Sequence, residues 1–90
     1  MEASGSTTKL EAGDFFFAPT CVVVAGGELA VTVKNDGTAL HNFSITSLGI
    51  DRDVQQEQAI TVMVRFDGSP LPFFCKFHVA AGMQGAFLAQ

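Results

Sequence analysis

The 90-residue chain has no Trp and no Tyr, only two Cys, two His and three Met, and little positive charge. Each scarcity excludes something. Without Tyr or Trp there is no phenol or indole for catalysis or base stacking, although nine Phe supply an aromatic core. Two cysteines, Cys21 and Cys75, cannot build the multi-bridge framework that staples small secreted domains. No stretch approaches the roughly 18 to 20 consecutive apolar residues of a membrane span, the longest run being Cys21 to Ala25. Five Lys and Arg against nine Asp and Glu leave a net charge of −4, which argues against a nucleic-acid binder. The acidic residues are scattered from Glu2 to Asp67. They read as ordinary solubility, with steering of a basic partner as the alternative. A 48% hydrophobic content is too high for a disordered chain, and 90 residues fill one core. Met1 to Thr8 is polar, with neither a basic n-region nor an apolar h-region, so no secretion signal is read there. Residues 1–8 read as a polar tail or cloning remnant and residues 9–90 as one domain.

What is present has period two. Leu29, Val31 and Val33 alternate with Ala30, Thr32 and Lys34; His41, Phe43 and Ile45 alternate with Asn42 and Ser44. Ile60, Val62, Val64 and Phe66 alternate with Thr61, Met63 and Arg65. Each run reads as a strand with one buried face. Turn residues recur at roughly ten-residue spacing, among them Ala12-Gly13-Asp14, Gly26-Gly27, Asn35-Asp36-Gly37, Asp67-Gly68-Ser69-Pro70 and Ala81-Gly82. The pattern predicts strands near 7–11, 14–18, 21–25, 28–35, 41–46, 59–66, 72–76 and 83–89. The fold class is therefore all-β, a Greek-key β-sandwich or barrel of about seven to eight strands. Residues 47–58 admit either a polar strand or a single helical turn.

The chemistry gathers in Phe73-Phe74-Cys75-Lys76-Phe77-His78-Val79-Ala80-Ala81-Gly82-Met83. This segment sets a thiol, an imidazole and a thioether at spacing Cys-x2-His-x4-Met in a short loop between two predicted strands. His41 opens an inward-facing strand directly after the Asn35 to Ala39 turn and supplies a second imidazole. Taken singly, His41 reads as a satisfied core histidine, His78 as an exposed loop imidazole and Met83 as core filler. Taken together, one soft thiolate, two imidazoles and a weak thioether are the donor set of a trigonal copper site, whereas zinc gains little from a thioether. Position 79 is Val, so the segment holds a single thiol.

These residues carry a family resemblance. Phe15-Phe16-Phe17-Ala18-Pro19, then Val22, Val24 and Gly26-Gly27, then Val31-Thr32-Val33-Lys34-Asn35 leading to His41-Asn42-Phe43, and finally Phe74-Cys75-x2-His78-x4-Met83 with Gly82 and Gly85, resemble the cupredoxins, the plastocyanin, azurin and pseudoazurin group. The resemblance implies one copper ion cycling between Cu(I) and Cu(II), with His41, Cys75 and His78 as equatorial ligands and Met83 as the axial one. It implies that Asn42 braces the copper loops and donates its backbone amide to the Cys75 sulfur, with Phe74 and Gly82 as supporting neighbours. It implies electron transfer rather than catalysis, a periplasmic or extracytoplasmic location, and a redox protein partner. That partner would dock on an apolar patch around His78 made by Ala39, Leu40, Val79, Ala80 and Ala81.

The sequence departs from the family pattern in three places. Glu57 stands where many members have a Gly turn, Phe74 replaces the usual Tyr before the ligand Cys, and Cys21 is an additional thiol. By phase Cys21 falls on the side opposite Val22 and Val24, which predicts an exposed or edge position. The chain is read as a monomer, with a dimer through Cys21 as the alternative. The short segment from Thr46 to Gln58 is expected to leave little room for an added strand or helix. The same donors also suit a copper carrier, a sensor, or a copper domain of a larger oxidase or reductase. A thiol enzyme built on Cys75 would need a substrate cleft that a 90-residue sandwich scarcely offers.

Overall fold

The period-two runs become strands because alternate side chains leave a strand on opposite faces, and one face here is apolar. The computed structural model describes residues 6–90. Along the chain the strands are β1 Ser6–Gly13, β2 Phe16–Ala18, β3 Cys21–Val24, β4 Gly27–Asn35, β5 His41–Ile45, β6 Ile50–Val54, β7 Ala59–Phe66, β8 Leu71–Phe74 and β9 Gln84–Ala89. They form two sheets, ordered β2-β1-β4-β7 and β3-β9-β8-β5-β6. Because the chain passes repeatedly from one sheet to the other, the apolar faces of both meet in a sandwich. Leu29, Val31 and Val33 of β4 and Val62, Val64 and Phe66 of β7 point into it from one side. Phe43, Phe73 and Phe87 point in from the other.

Five Phe are the largest of the fully buried side chains. Phe73 lies 5.2 Å from Phe17, 5.5 Å from Phe43 and 5.0 Å from Phe87, ring centroid to ring centroid. These are the offset and edge-to-face separations that aromatic quadrupoles favour. Phe17 belongs to the first sheet and the other three to the second, so the cluster spans both. No helix among the described residues is long and apolar enough to cross a membrane.

Four details differ from the sequence expectation. The described residues hold nine strands rather than seven or eight, because Ile50–Val54, in the segment that admits either strand or turn, is a strand and pairs antiparallel with β5 from His41↔Val54 to Ile45↔Ile50. It is an edge strand whose central Asp51, Arg52 and Asp53 are exposed, so it lacks the apolar alternation that marks its neighbours. β1 begins at Ser6, within the expected tail, and pairs in parallel with β4 from Ser6↔Leu29. Residues 1–5 of that tail lie outside the described residues. β5 is buried on both faces, since Asn42 and Ser44 are covered as well as His41, Phe43 and Ile45. Finally, the expected strand at 14–18 is shortened. Gly13 pairs with Phe16, so Asp14 and Phe15 form the two-residue tip of the β1–β2 hairpin.

Two of the sequence departures acquire a physical setting. Glu57 has φ 64°, the left-handed region that costs a residue with a Cβ about 1–2 kcal/mol and that glycine enters freely. The turn is nonetheless held, because the Glu57 amide donates to the Asn35 carbonyl at 3.1 Å and the Asn35 amide to the Gln58 carbonyl at 2.9 Å. Cys21 is exposed on β3, which is an edge strand, and both Cys21 and Cys75 are free thiols.

Candidate metal centre

Two loops and one hairpin tip meet at one end of the sandwich. The first loop, between β4 and β5, is shaped by the wholly buried Asn35. Its Oδ1 accepts from the Gly37 amide at 2.8 Å, and its Nδ2 donates to the carbonyls of Ala39 and Val54, each at 2.9 Å. An Asn side chain that mimics the backbone in this way closes a tight turn, and it delivers His41 to the start of β5.

The second loop follows β8. Its backbone folds back on itself: the Cys75 amide donates to the Met83 carbonyl at 3.1 Å, the His78 amide to the Cys75 carbonyl at 3.0 Å, and the Met83 amide to the His78 carbonyl at 3.3 Å. Val79–Ala81 form a single 3-10 turn that ends on Gly82 at φ 92°, a left-handed position where a Cβ would be strained. Cys75, His78 and Met83 are thereby tied to one another by the protein alone.

The donor atoms converge. One atom each from His41, Cys75 and His78 lies within 4.8 Å of the others, and Cys75 Sγ is 3.4 Å from His78 Nδ1. His41, Cys75 and Met83 are fully buried, while His78 is partly exposed. His41 Nδ1 is buried with no hydrogen-bond partner among the described residues. An unpartnered buried ring nitrogen beside a thiol and a second imidazole fits a metal ion, because an uncompensated buried polar atom is otherwise costly.

Asn42 braces the two loops through its side chain. Its Oδ1 accepts from the Lys76 amide at 3.2 Å and from the Ser44 hydroxyl, and its Nδ2 donates to Asp51 at 2.8 Å and Asp53 at 3.0 Å. All four bonding positions of the amide are used, and β5 is thus fastened to the residue after Cys75. The expected donation from the Asn42 backbone amide to the Cys75 sulfur is not among the hydrogen bonds formed. The Asn42 amide, and then Lys76 at 3.0 Å, hold the Asp51 carboxyl below its ordinary range, and Asp51 raises Lys76 in turn. Phe74, the residue before Cys75, is half-buried and pairs with both Ser44 and Gln84, so it ties the strand that His41 opens to the strand that follows Met83.

Two residues at this end are not among those the sequence assigns to the site. Asp14 Oδ1 lies 2.7 Å from His41 Nε2. The Phe15 ring covers His78 at a centroid distance of 4.4 Å and meets His41 edge-on at 6.1 Å. Both sit at the hairpin tip, and no local pattern reports which loop a hairpin tip will touch. Of the expected apolar patch, Leu40 and Val79 are 43% and 41% exposed, Ala80 and Ala81 are exposed, and Ala39 is half-buried. Phe15 and Phe77, at 46% and 45%, extend the exposed apolar surface against His78.

Comparison with known proteins agrees with this architecture. A family model described as a cupredoxin-like domain matches residues 2–89. No curated protein matches the sequence significantly. Among solved structures, the chain is similar to a dithionite-reduced auracyanin from Roseiflexus castenholzii, with 17% identity over 93% of this chain and 96% of that one and a TM-score of 0.77. It is similar to a mutant fern plastocyanin, with 22% identity over 91% and 99% and a TM-score of 0.73. It is also similar to the Cu(I)-containing metal-binding domain of a copper-exporting P-type ATPase from Streptococcus pneumoniae, with 10% identity over 100% and 96% and a TM-score of 0.77.

Proposed function

The chain belongs to the cupredoxin-like domain family, and on that premise we propose that it is a one-copper electron-transfer protein whose ion would be held by His41, Cys75 and His78, with Met83 as a fourth, weaker ligand. The observation that carries this reading is the convergence of two imidazoles and one thiol within 4.8 Å at the end of a rigid sandwich, with His41 Nδ1 unpartnered. The bound ion would supply a one-electron Cu(I)/Cu(II) couple. The protein supplies the rest. A ligand set tied by the Cys75, His78 and Met83 backbone bonds changes little between the two oxidation states, which keeps the reorganisation cost of transfer low. Partly exposed His78, beside the rings of Phe15 and Phe77 and with Leu40 and Val79 also exposed, would give the electron an exit through an apolar surface suited to brief docking with a redox protein, since weak redox encounters use small interfaces. An extracytoplasmic location belongs to the same reading.

The test is a titration of the metal-free protein with Cu(II), followed by absorption and EPR. One equivalent is expected to produce an intense visible thiolate-to-copper band and a mononuclear signal. A colourless product, or a stoichiometry of two, would sink the reading. Replacing Met83 with Gln is expected to leave a coloured site with a lower reduction potential, because a harder oxygen donor favours the oxidised ion over the soft reduced one. An unchanged potential would remove Met83 from the ligand set.

A copper carrier is the second reading, and the likeness to a Cu(I)-containing transport domain is what favours it. The two separate on behaviour: a carrier gives up its ion readily to a chelator, whereas an electron-transfer protein retains it through repeated oxidation and reduction.

A further inference from the structure

We propose that Asp14 is a positioning residue for the metal centre: its carboxylate holds the His41 ring with Nε2–H turned toward Asp14, leaves Nδ1 as the available ligand atom, and biases the centre toward the oxidised ion. The inference rests on the copper reading above and adds to it a residue outside the ligand loops.

Three observations support it. The first is the contact itself. His41 is fully buried, its Nε2 lies 2.7 Å from Asp14 Oδ1, and its Nδ1 has no partner among the described residues. An ionised carboxylate only accepts hydrogen bonds, so the proton in this contact belongs to Nε2, and in the neutral imidazole the lone pair is then left on Nδ1.

The second is that Asp14 is itself immobilised. Its Oδ2 accepts from the Thr38 amide at 2.9 Å and the Thr38 hydroxyl at 2.8 Å, and its Oδ1 also accepts from the Ala39 amide at 3.3 Å. Together with His41, these donors occupy both oxygens of the carboxylate. A two-residue hairpin tip and the loop preceding His41 are thus locked to each other through one anion.

The third is the room left for it. At Gly37 a Cβ would overlap Asp14 Oδ1 and come within 2.9 Å of His41 Nε2. The loop is glycine at the point where any side chain would push the carboxylate off the imidazole.

The physical consequence has a definite sign. An anionic acceptor on the distal ring nitrogen makes the imidazole a more basic ligand and fixes its orientation. A fixed negative charge near the ion stabilises the higher of its two charge states more than the lower. Removing the charge therefore raises the reduction potential. Outer partners of ligating histidines are worth about 10- to 100-fold in metal affinity. Asp14 keeps 26% of its side chain exposed, so solvent screening puts the expected effect at the lower end.

The experiment compares wild type, Asp14→Asn and Thr38→Val by two readouts. In the copper-loaded proteins, Asp14→Asn is expected to lose roughly tenfold of its preference for oxidised over reduced ion, equivalent to a potential raised by about 59 mV. In the metal-free proteins, the imidazole nitrogen shifts of His41 are expected to report a fixed Nε2–H form in wild type and a mixture of tautomers in Asp14→Asn. Thr38→Val removes a bond to the same carboxylate without touching His41 and is expected to stay near wild type in both. A potential in Asp14→Asn changed by less than about twofold in preference, an unaltered His41 tautomer, or an equal shift in Thr38→Val would each overturn the proposal, the last by reducing Asp14 to a loop fastener. A wild-type protein that forms no thiolate-to-copper band overturns the copper reading instead, and the metal-free tautomer measurement then judges the Asp14–His41 lock separately.

Discussion

Copper-loaded Cys75→Ser protein is expected to lose the intense visible band altogether. The band requires a thiolate bonded to the oxidised ion, and Cys75 is the thiol whose Sγ lies 3.4 Å from His78 Nδ1 in the donor cluster. A serine hydroxyl is a hard, protonated donor at neutral pH and offers no low-energy charge transfer. The expected loss is more than roughly tenfold in extinction, with Cu(II) bound more weakly or not at all. The control is Cys21→Ser. Cys21 is exposed on an edge strand, and its replacement should leave the band intact. A band that survives in Cys75→Ser and vanishes in Cys21→Ser would place the ligand thiol on β3 and end the proposed site.

The second large effect falls on stability. Phe73→Ala is expected to destabilise the metal-free protein by about 3–5 kcal/mol, the usual cost of truncating a buried Phe that cannot be backfilled. Phe73 is fully buried and packs on Phe17, Phe43 and Phe87 at 5.0 to 5.5 Å, so its removal opens a cavity between the two sheets. Its ring also sits over Gly85, where an added Cβ would come within 2.6 Å of it. A domain of this length has a total stability on the order of 5–15 kcal/mol, so this one substitution removes a large share. Denaturant unfolding of metal-free protein measures it. A loss under about 1 kcal/mol, well below the usual range for such a truncation, would mean that the aromatic cluster does not join the sheets.

The loop from Cys75 to Met83 must tolerate this dependence. Cys75 follows β8 directly, and Phe73 is two residues earlier on the same strand. Core packing at Phe73 and donor placement at Cys75 are therefore linked through a few covalent bonds, and a loosened core is expected to broaden the copper spectrum as well as lower stability.

Much of the candidate site is legible in the sequence alone. Cys-x2-His-x4-Met is a local pattern, and a loop that folds back within nine residues must bring its members near one another. His41 is legible because inward phase at a strand start, following a tight Asn-Asp-Gly turn, is also local. Asn42 is harder to read. The family resemblance implies a brace between the loops and a backbone-amide donation to Cys75; the structure braces through the side-chain amide, against Lys76, Ser44, Asp51 and Asp53. That arrangement depends on β6, a polar edge strand whose Asp51, Arg52 and Asp53 carry no apolar alternation. Its pairing with β5 covers the second face of Asn42, and pairing is not a property of either strand alone.

Alternation, turn residues and the spacing of donors determined the sandwich, the aromatic core and three of the residues that converge on one point, because each is a matter of neighbours in sequence. What surrounds them was decided by tertiary structure. Asp14 reaches His41 across 27 residues, and Phe15 covers His78 from the same hairpin tip. In the sequence Asp14 marks a turn and Phe15 falls in an expected strand. Their role follows from the parallel pairing of β1 with β4, which carries the far end of β1 to the loop that precedes His41. Contacts of that kind are chosen by how strands pair and sheets pack, and no local period records them.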